Sequence, residues 1–232
     1  MNIKTAEKTN IKLRIGISGA SGYGKTLSSL LLANGLTKDW SKIVIIDTEN
    51  GSSNLYAHLG SYRVLSITAP YTPEKYIRAI KTCENEDVHV IIIDSISHEW
   101  KGLGGCLDIH SKIGGRFQDW GKVTPRHQAF INSIIESRCH VISTIRRKIE
   151  YVLENDDKGK LKVVKHGTKE ETRNGFEYEM TLNFELMDEN HFARVTKDRT
   201  GIFNQNFKFI INTKTGEKLA NWCMPNKADT NQ

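Results

Sequence analysis

Residues 19–26 read GASGYGKT and follow directly on the apolar run LRIGIS (13–18). The stretch matches G-x-x-x-x-G-K-[ST] through Gly19, Gly24, Lys25 and Thr26. Glycines matter here because they clear side chains away. Consecutive N–H groups can then converge on phosphate oxygens, and a following helix adds its positive N-terminal end. The frame is the one such a loop needs. IKLRIGIS (11–18) reads as a strand, and GKTLSSLLLANGL (24–36) has apolar residues at helical spacing. The binding loop is therefore Gly19, Ala20, Ser21, Gly22, Tyr23, Gly24, Lys25 and Thr26. Lys25 is expected on the β- and γ-phosphates of ATP and the Thr26 hydroxyl on Mg²⁺. A chance glycine-rich turn is the bland alternative, and the strand–loop–helix frame argues against it.

Outward from the loop, strand and helix alternate. KIVIID (42–47), YRVLSI (62–67), VHVIIID (88–94) and HVISTI (140–145) read as strands. Wholly apolar runs such as VIIID suit a parallel sheet covered on both faces. TPEKYIRAIKTCEN (72–85) and TPRHQAFINSIIES (124–137) open on Thr-Pro and read as helices. After residue 146 the character changes to a charged, turn-rich segment (146–175). FEYEMTLNFELM (176–187) and HFARVTK (191–197) then read as a β-hairpin, and residues 206–222 as a strand with a turn at Lys214-Thr215-Gly216. The expected fold is α/β, a mostly parallel sheet flanked by helices with an antiparallel C-terminal extension. Residues 1–222 are read as one domain and 223–232 as a polar, disordered tail.

The chain has 232 residues, a net charge of +6 and 38% apolar residues. No stretch approaches the ~20 apolar residues of a membrane span, so no membrane role is expected. The polar N-terminus shows no signal peptide, and the expected location is cytoplasmic. The four cysteines never form C-x-x-C, which argues against a zinc cluster. The positive charge permits a polyanionic partner without requiring one.

A phosphate-binding loop calls for a second carboxylate at the end of another buried strand. Asp94, after VIII, supplies it and joins Thr26 as a metal residue. IIDTENG (45–51) ends a strand in Asp47 and Glu49. Glu49 lies past the strand end, where open α/β sheets bind ligands, and is read as the general base.

GASGYGKT, IIDTENG and IIIDS stand in an order that resembles the RecA-like P-loop ATPases. DSISHEW, WGKVTPRH, KDRTGIF and INTKTGEKLANW narrow the resemblance to compact phage-encoded members, the Sak group of single-strand annealing proteins. It covers roughly residues 12–222. The resemblance implies ATP hydrolysis with Mg²⁺, single-stranded DNA as partner, and a homo-oligomer, ring or filament. It also raises a single-stranded-DNA-binding protein as a further partner. Thr144 would stand at the γ-phosphate sensor position, where RecA has glutamine. Lys197 and Arg199 alternate with Asp198, so their side chains share one side of a strand. On spacing alone they read as a basic edge strand. The resemblance makes them catalytic cations acting on a neighbouring subunit's nucleotide.

The segment 146–175 reads, on composition alone, as a charged surface hairpin. The resemblance places it at the DNA-facing loop, with Arg146, Arg147 and Lys148 on the DNA backbone and Tyr151 stacking a base. Residues 104–120 are either a loop near the nucleotide, a first DNA-facing loop or a structural elaboration. Trp100 and Trp120 are read as packing anchors, and His98, His110 and His127 as structural histidines. NKAD (226–229) resembles a guanine-reading motif but follows no apolar strand and is set aside. Two other function classes stay open. One is a small-molecule kinase on the same loop; the other is a nucleotide-switched DNA-binding scaffold with little hydrolysis.

Overall fold

The computed structural model describes residues 5, 8, 11–155, 161–204 and 207–225, with 149–155 and 161–167 described by strand course only. The 226–229 motif and most of the tail lie outside these residues. The strands are β1 Arg14–Gly19, β2 Ile43–Asp47, β3 Arg63–Ser66, β4 Val90–Asp94, β5 His140–Asn155, β6 Leu161–Glu170, β7 Leu182–Leu186, β8 Phe192–Asp198 and β9 Phe209–Ile210. The helices are α1 Lys25–Thr37, α2 Pro73–Glu84, α3 Ser97–Lys101, α4 Cys106–Lys112, α5 Trp120–Ile135, α6 Phe176–Glu179 and α7 Thr213–Cys223.

One sheet runs in the order β3-β2-β4-β5-β1-β7-β8-β9, with β6 paired to β5. β2, β3, β4, β5, β1 and β7 are mutually parallel along this path. β8, β9 and β6 join antiparallel. This is the expected mostly parallel sheet with an antiparallel C-terminal extension. Alternation along each strand splits the core in two. Val44, Ile46, Ile91 and Ile93 face Tyr76, Phe130 and Ile134 of α2 and α5. Ile43, Ile45, Val90 and Ile92 face Leu30 and Leu32 of α1 and Leu219 of α7.

Four local expectations are corrected. The helix expected over 124–137 starts at Trp120, so Pro125 lies inside it. As the sixth residue, Pro125 gives up the bond that an N–H there would make to the Gly121 carbonyl, and the helix carries that loss through the packing of its buried face. The Lys214-Thr215-Gly216 turn is the first part of α7. Asn212 caps it, accepting from the Thr215 N–H, while the Thr215 hydroxyl accepts from the Asn212 N–H. Residues 176–179 form α6 rather than strand. Finally, β5 runs on to Asn155 because β6 pairs with its outer half.

Gly216 is where it is because α7 lies directly on α1. A Cβ at Gly216 would collide with the Leu32 carbonyl, and one at Gly35 with the Thr213 carbonyl. Alanine is normally the better helix former by ~1 kcal/mol, yet Gly35→Ala is expected to destabilise the fold by about 1–3 kcal/mol through overpacking. Urea unfolding measures this; an unchanged or raised midpoint would show that the helices can separate at little cost.

Candidate functional site

The parallel arrangement brings the C-terminal ends of β1, β2 and β4 and the middle of β5, near Arg146, to one edge of the sheet, the usual place for a ligand in an open α/β fold. β5 lies between β1 and β4. Beyond β1 the chain turns through Gly22 (φ 82°) and Gly24 (φ 88°), both in the left-handed region that glycine tolerates. Gly24 also lies against His191, whose Nδ1–H donates to the Tyr23 carbonyl at 2.8 Å. A side chain at Gly22 would meet nothing within 4 Å.

The loop borders a cavity of about 470 Å³, whose lining includes Ser21, Gly22, Gly24, Lys25, Thr26, Glu49, Asp94 and Arg146. Gly19, Ala20 and Tyr23 shape the loop without lining the cavity. The Lys25 ammonium reaches back to the Gly19 and Ala20 carbonyls at 3.0 and 2.8 Å. Burial lowers its pKa, against the pull of Asp94 and Glu49.

Asp94 is 2% exposed. The Thr26 hydroxyl donates to its Oδ2 at 2.6 Å, and the Thr144 hydroxyl to its Oδ1 at 2.5 Å. Burial raises the Asp94 pKa, and these two hydrogen bonds only partly offset it. A hard cation with oxygen ligands fits this donor set, since Thr26 and Asp94 present a hydroxyl and a carboxylate side by side.

Asp47 and Glu49 divide sharply. Asp47 is buried and accepts from the N–H groups of Glu49, Gly51 and Ser53 and from the Ser53 hydroxyl. It holds the turn that displays Glu49. Glu49 Oε1 accepts from the Ser95 hydroxyl at 3.2 Å and from Arg146 Nε at 2.8 Å, and Arg146 Nη2 pairs with Oε2. The guanidinium therefore grips both oxygens of the candidate base.

Sequence reasoning put Arg146, Arg147 and Lys148 on DNA; the structure places all three along the cavity wall. Arg147 is paired with Glu170 and Glu185, and Lys148 with Glu171. Tyr151 lies on β5, and its side chain falls outside the described residues. Lys197 and Arg199 point the same way, as their spacing requires. Both donate to the Tyr178 carbonyl at the end of α6, Lys197 at 2.7 Å and Arg199 at 3.0 Å. They do not line the cavity of their own chain.

Two features escaped sequence reasoning. His191 lines the cavity from the turn between β7 and β8. Glu99, Cys106 and His127 meet in the core, with the thiol 3.0 Å and the imidazole Nδ1 3.1 Å from Glu99 Oε1. Burial pushes the Cys106 pKa up, and its thiol donates to the Glu99 carboxylate. The three groups satisfy one another as a hydrogen-bonded cluster.

The AAA domain profile matches residues 11–219. The chain belongs to the AAA domain family. No curated protein matches it. Membership accounts for the loop, the Asp94 strand and the covered sheet as parts of one nucleotide-binding ATPase domain. No described helix is long and apolar enough to cross a membrane.

A carboxyl whose folded pKa is raised favours the folded state at low pH. That contribution is lost as pH climbs from the unfolded value of about 4 through the folded one. Asp94→Asn removes the charge. At neutral pH without nucleotide it should therefore melt at or above wild type. Wild type should gain about 2.7 kcal/mol when Mg-ATP is present at a hundredfold its Kd, and the variant should gain almost nothing. Thermal melts with and without Mg-ATP decide; a variant that melts well below wild type, or that keeps the shift, contradicts this assignment.

Proposed function

We propose that the chain binds Mg-ATP on the 19–26 loop and hydrolyses it with Glu49 as general base, coupled to single-stranded DNA in phage-type recombination or annealing. The observation that carries the reading is the convergence of Lys25, Thr26, Glu49 and Asp94 around one cavity, with the buried Thr144 hydroxyl on Asp94. The loop amides and Lys25 hold the triphosphate, with Lys25 exchanging the Gly19 and Ala20 carbonyls for phosphate oxygens. Thr26 and Asp94 would hold Mg²⁺, which would supply charge neutralisation to the triphosphate. Thr144 bridges Asp94 and the phosphate side of the site as sensor. Glu49 accepts the proton of the attacking water.

Lys197 and Arg199 serve a neighbouring subunit's site, which makes the working form a homo-oligomer. Their position outside their own cavity, together on one side of β8, supports a role in trans. The β5–β6 hairpin offers Arg147, Lys148 and Tyr151 to the DNA, with Arg146 linking its base to Glu49. A single-stranded-DNA-binding protein is the further partner in this reading.

The Arg146 grip on Glu49 favours one alternative, a nucleotide-switched scaffold with little hydrolysis. With Arg146 on both of its oxygens, Glu49 is not free to take a proton from water in this arrangement. Under the main reading the grip is a resting contact, released when DNA or phosphate draws Arg146 away.

Steady-state ATP hydrolysis, with and without single-stranded DNA and across protein concentration, separates these readings. DNA should stimulate turnover, the rate per subunit should rise with concentration, and Lys25→Ala should be inactive. Glu49→Gln should lose about 10²- to 10⁴-fold in kcat while still binding ATP. A rate that ignores DNA and concentration would count against the coupled, trans-acting machine. Turnover unchanged in Glu49→Gln would remove Glu49 as base.

Arg146→Ala should raise DNA-free hydrolysis about fivefold, the factor for a partly exposed ion pair worth ~1 kcal/mol, and shrink the stimulation by DNA. A fall in the DNA-free rate would instead make Arg146 part of the catalytic set.

A further inference from the structure

Beside the cavity at the 19–26 loop lies a larger groove of about 760 Å³, lined among others by Trp100, Phe117 and Trp120 and by Lys101, Lys148 and Arg173. Lys148 and Glu171 border both cavities. We infer that this groove is a base-stacking subsite for single-stranded DNA, with Phe117 as the stacking face and the Trp100–Trp120 pair as the aromatic wall beside it. The inference rests on the DNA reading above and gives it a location that the hairpin alone does not.

Three observations converge. Trp100 and Trp120 stack on each other at 5.7 Å with 17° between planes, and His110 extends the stack at 4.1 Å from Trp120. A groove walled by flat, parallel rings accepts another flat ring, and every base has one.

Phe117 is the second observation, at 90% exposure. A lone exposed aromatic is unremarkable, but this one stands on a braced turn. The Arg116 N–H donates to the Asp119 carboxylate at 3.0 Å, and the Asp119 N–H to the Arg116 carbonyl at 2.9 Å. The His110 Nε2–H donates to the same Arg116 carbonyl at 3.0 Å. Gly114 (φ 128°) and Gly115 (φ 69°) turn the chain into position ahead of it. The ring is thus held out in water on a preorganised mount, which lowers the ordering cost of binding.

The third is charge. Glu171 is nearly buried and ties Lys101 and Lys148 together, at 3.0 and 2.9 Å. One carboxylate between two ammonium groups leaves the cluster cationic, and Arg173 adds to it. Aromatic faces bounded by cations are what a strand of phosphates with splayed bases requires, whereas a duplex hides its base faces. Since Lys148 and Glu171 also border the nucleotide cavity, a strand in the groove touches groups that the triphosphate also meets.

The test is fluorescence anisotropy of a labelled oligo-dT and of an abasic strand of equal length. The wild-type protein should bind oligo-dT more tightly than the abasic strand. Phe117→Ala should weaken oligo-dT about 5- to 150-fold, the loss of one stack, and bind the abasic strand unchanged. Phe117→Tyr should restore affinity, and DNA-free ATP hydrolysis of Phe117→Ala should match wild type. Phe117→Ala binding oligo-dT as wild type does would overturn the subsite while leaving the DNA reading in place. Wild type binding neither strand would overturn both. Tighter wild-type binding to duplex than to oligo-dT would also sink the subsite.

Discussion

The structure turns on one buried carboxylate. Asp94 sits at the end of a central strand and touches almost no solvent, so its charge must be met from within. Two hydroxyls meet it from opposite flanks, Thr26 from the first turn of α1 and Thr144 from β5. Two neutral donors do not replace lost hydration, and the raised pKa is the sign of the shortfall. On the Mg-ATP reading, the same shortfall would favour a divalent ion here, since a buried carboxylate gains most from a cation beside it. β5 lies between β1 and β4, so Thr144 reaches Asp94 from the adjacent strand and Thr26 reaches it from the start of α1, past β5.

Around that centre the charges are arranged in pairs that can exchange partners. Arg146 holds Glu49, Arg147 holds Glu170 and Glu185, and Lys148 holds Glu171. Cations that line an anion site without partners would repel one another and wander. Carboxylate partners keep them in place, and each pair is weak enough at partial exposure to yield to a phosphate. Asp47 shows the complementary use of an acid. Its oxygens are taken up by the turn at 49–53, which leaves Glu49 as the acid presented to the cavity.

Much of the fold was legible because burial on both faces writes itself as continuous apolar runs. KIVIID, VHVIIID and HVISTI could only be interior strands. The loop and Asp94 were legible for the same reason, being defined by strand ends. What escaped depends on contacts distant in sequence. Lys214-Thr215-Gly216 looks like a turn until Gly35 on α1 is known to lie against it. Arg14, within an apolar strand, gives no hint that its guanidinium donates to the Cys139, Ile135 and Ser137 carbonyls, closing the end of α5. Burial lowers its pKa to about 10 without removing the charge. Glu99, Cys106 and His127 lie on three helices, and no spacing rule links them.

The packing expected of the two tryptophans is present, and their position adds to it. Trp100 and Trp120 have the size of packing anchors, and packing is half of what they do, since Trp100 meets His127 edge-on at 5.2 Å. Yet the pair is not sealed in the core. α3 and α5 bring the rings face to face at the border of a solvent-reaching groove. Rings held by their neighbours at the border of a groove are stiff where solvent still reaches them. Stiffness is what an adaptable loop aromatic lacks, because ordering it on binding costs free energy that a prepacked ring has already lost. The groove's chemistry therefore follows from the same helix packing that closes the core behind it, and its cations come from Lys101 and Lys148, which Glu171 holds at the junction with the nucleotide cavity.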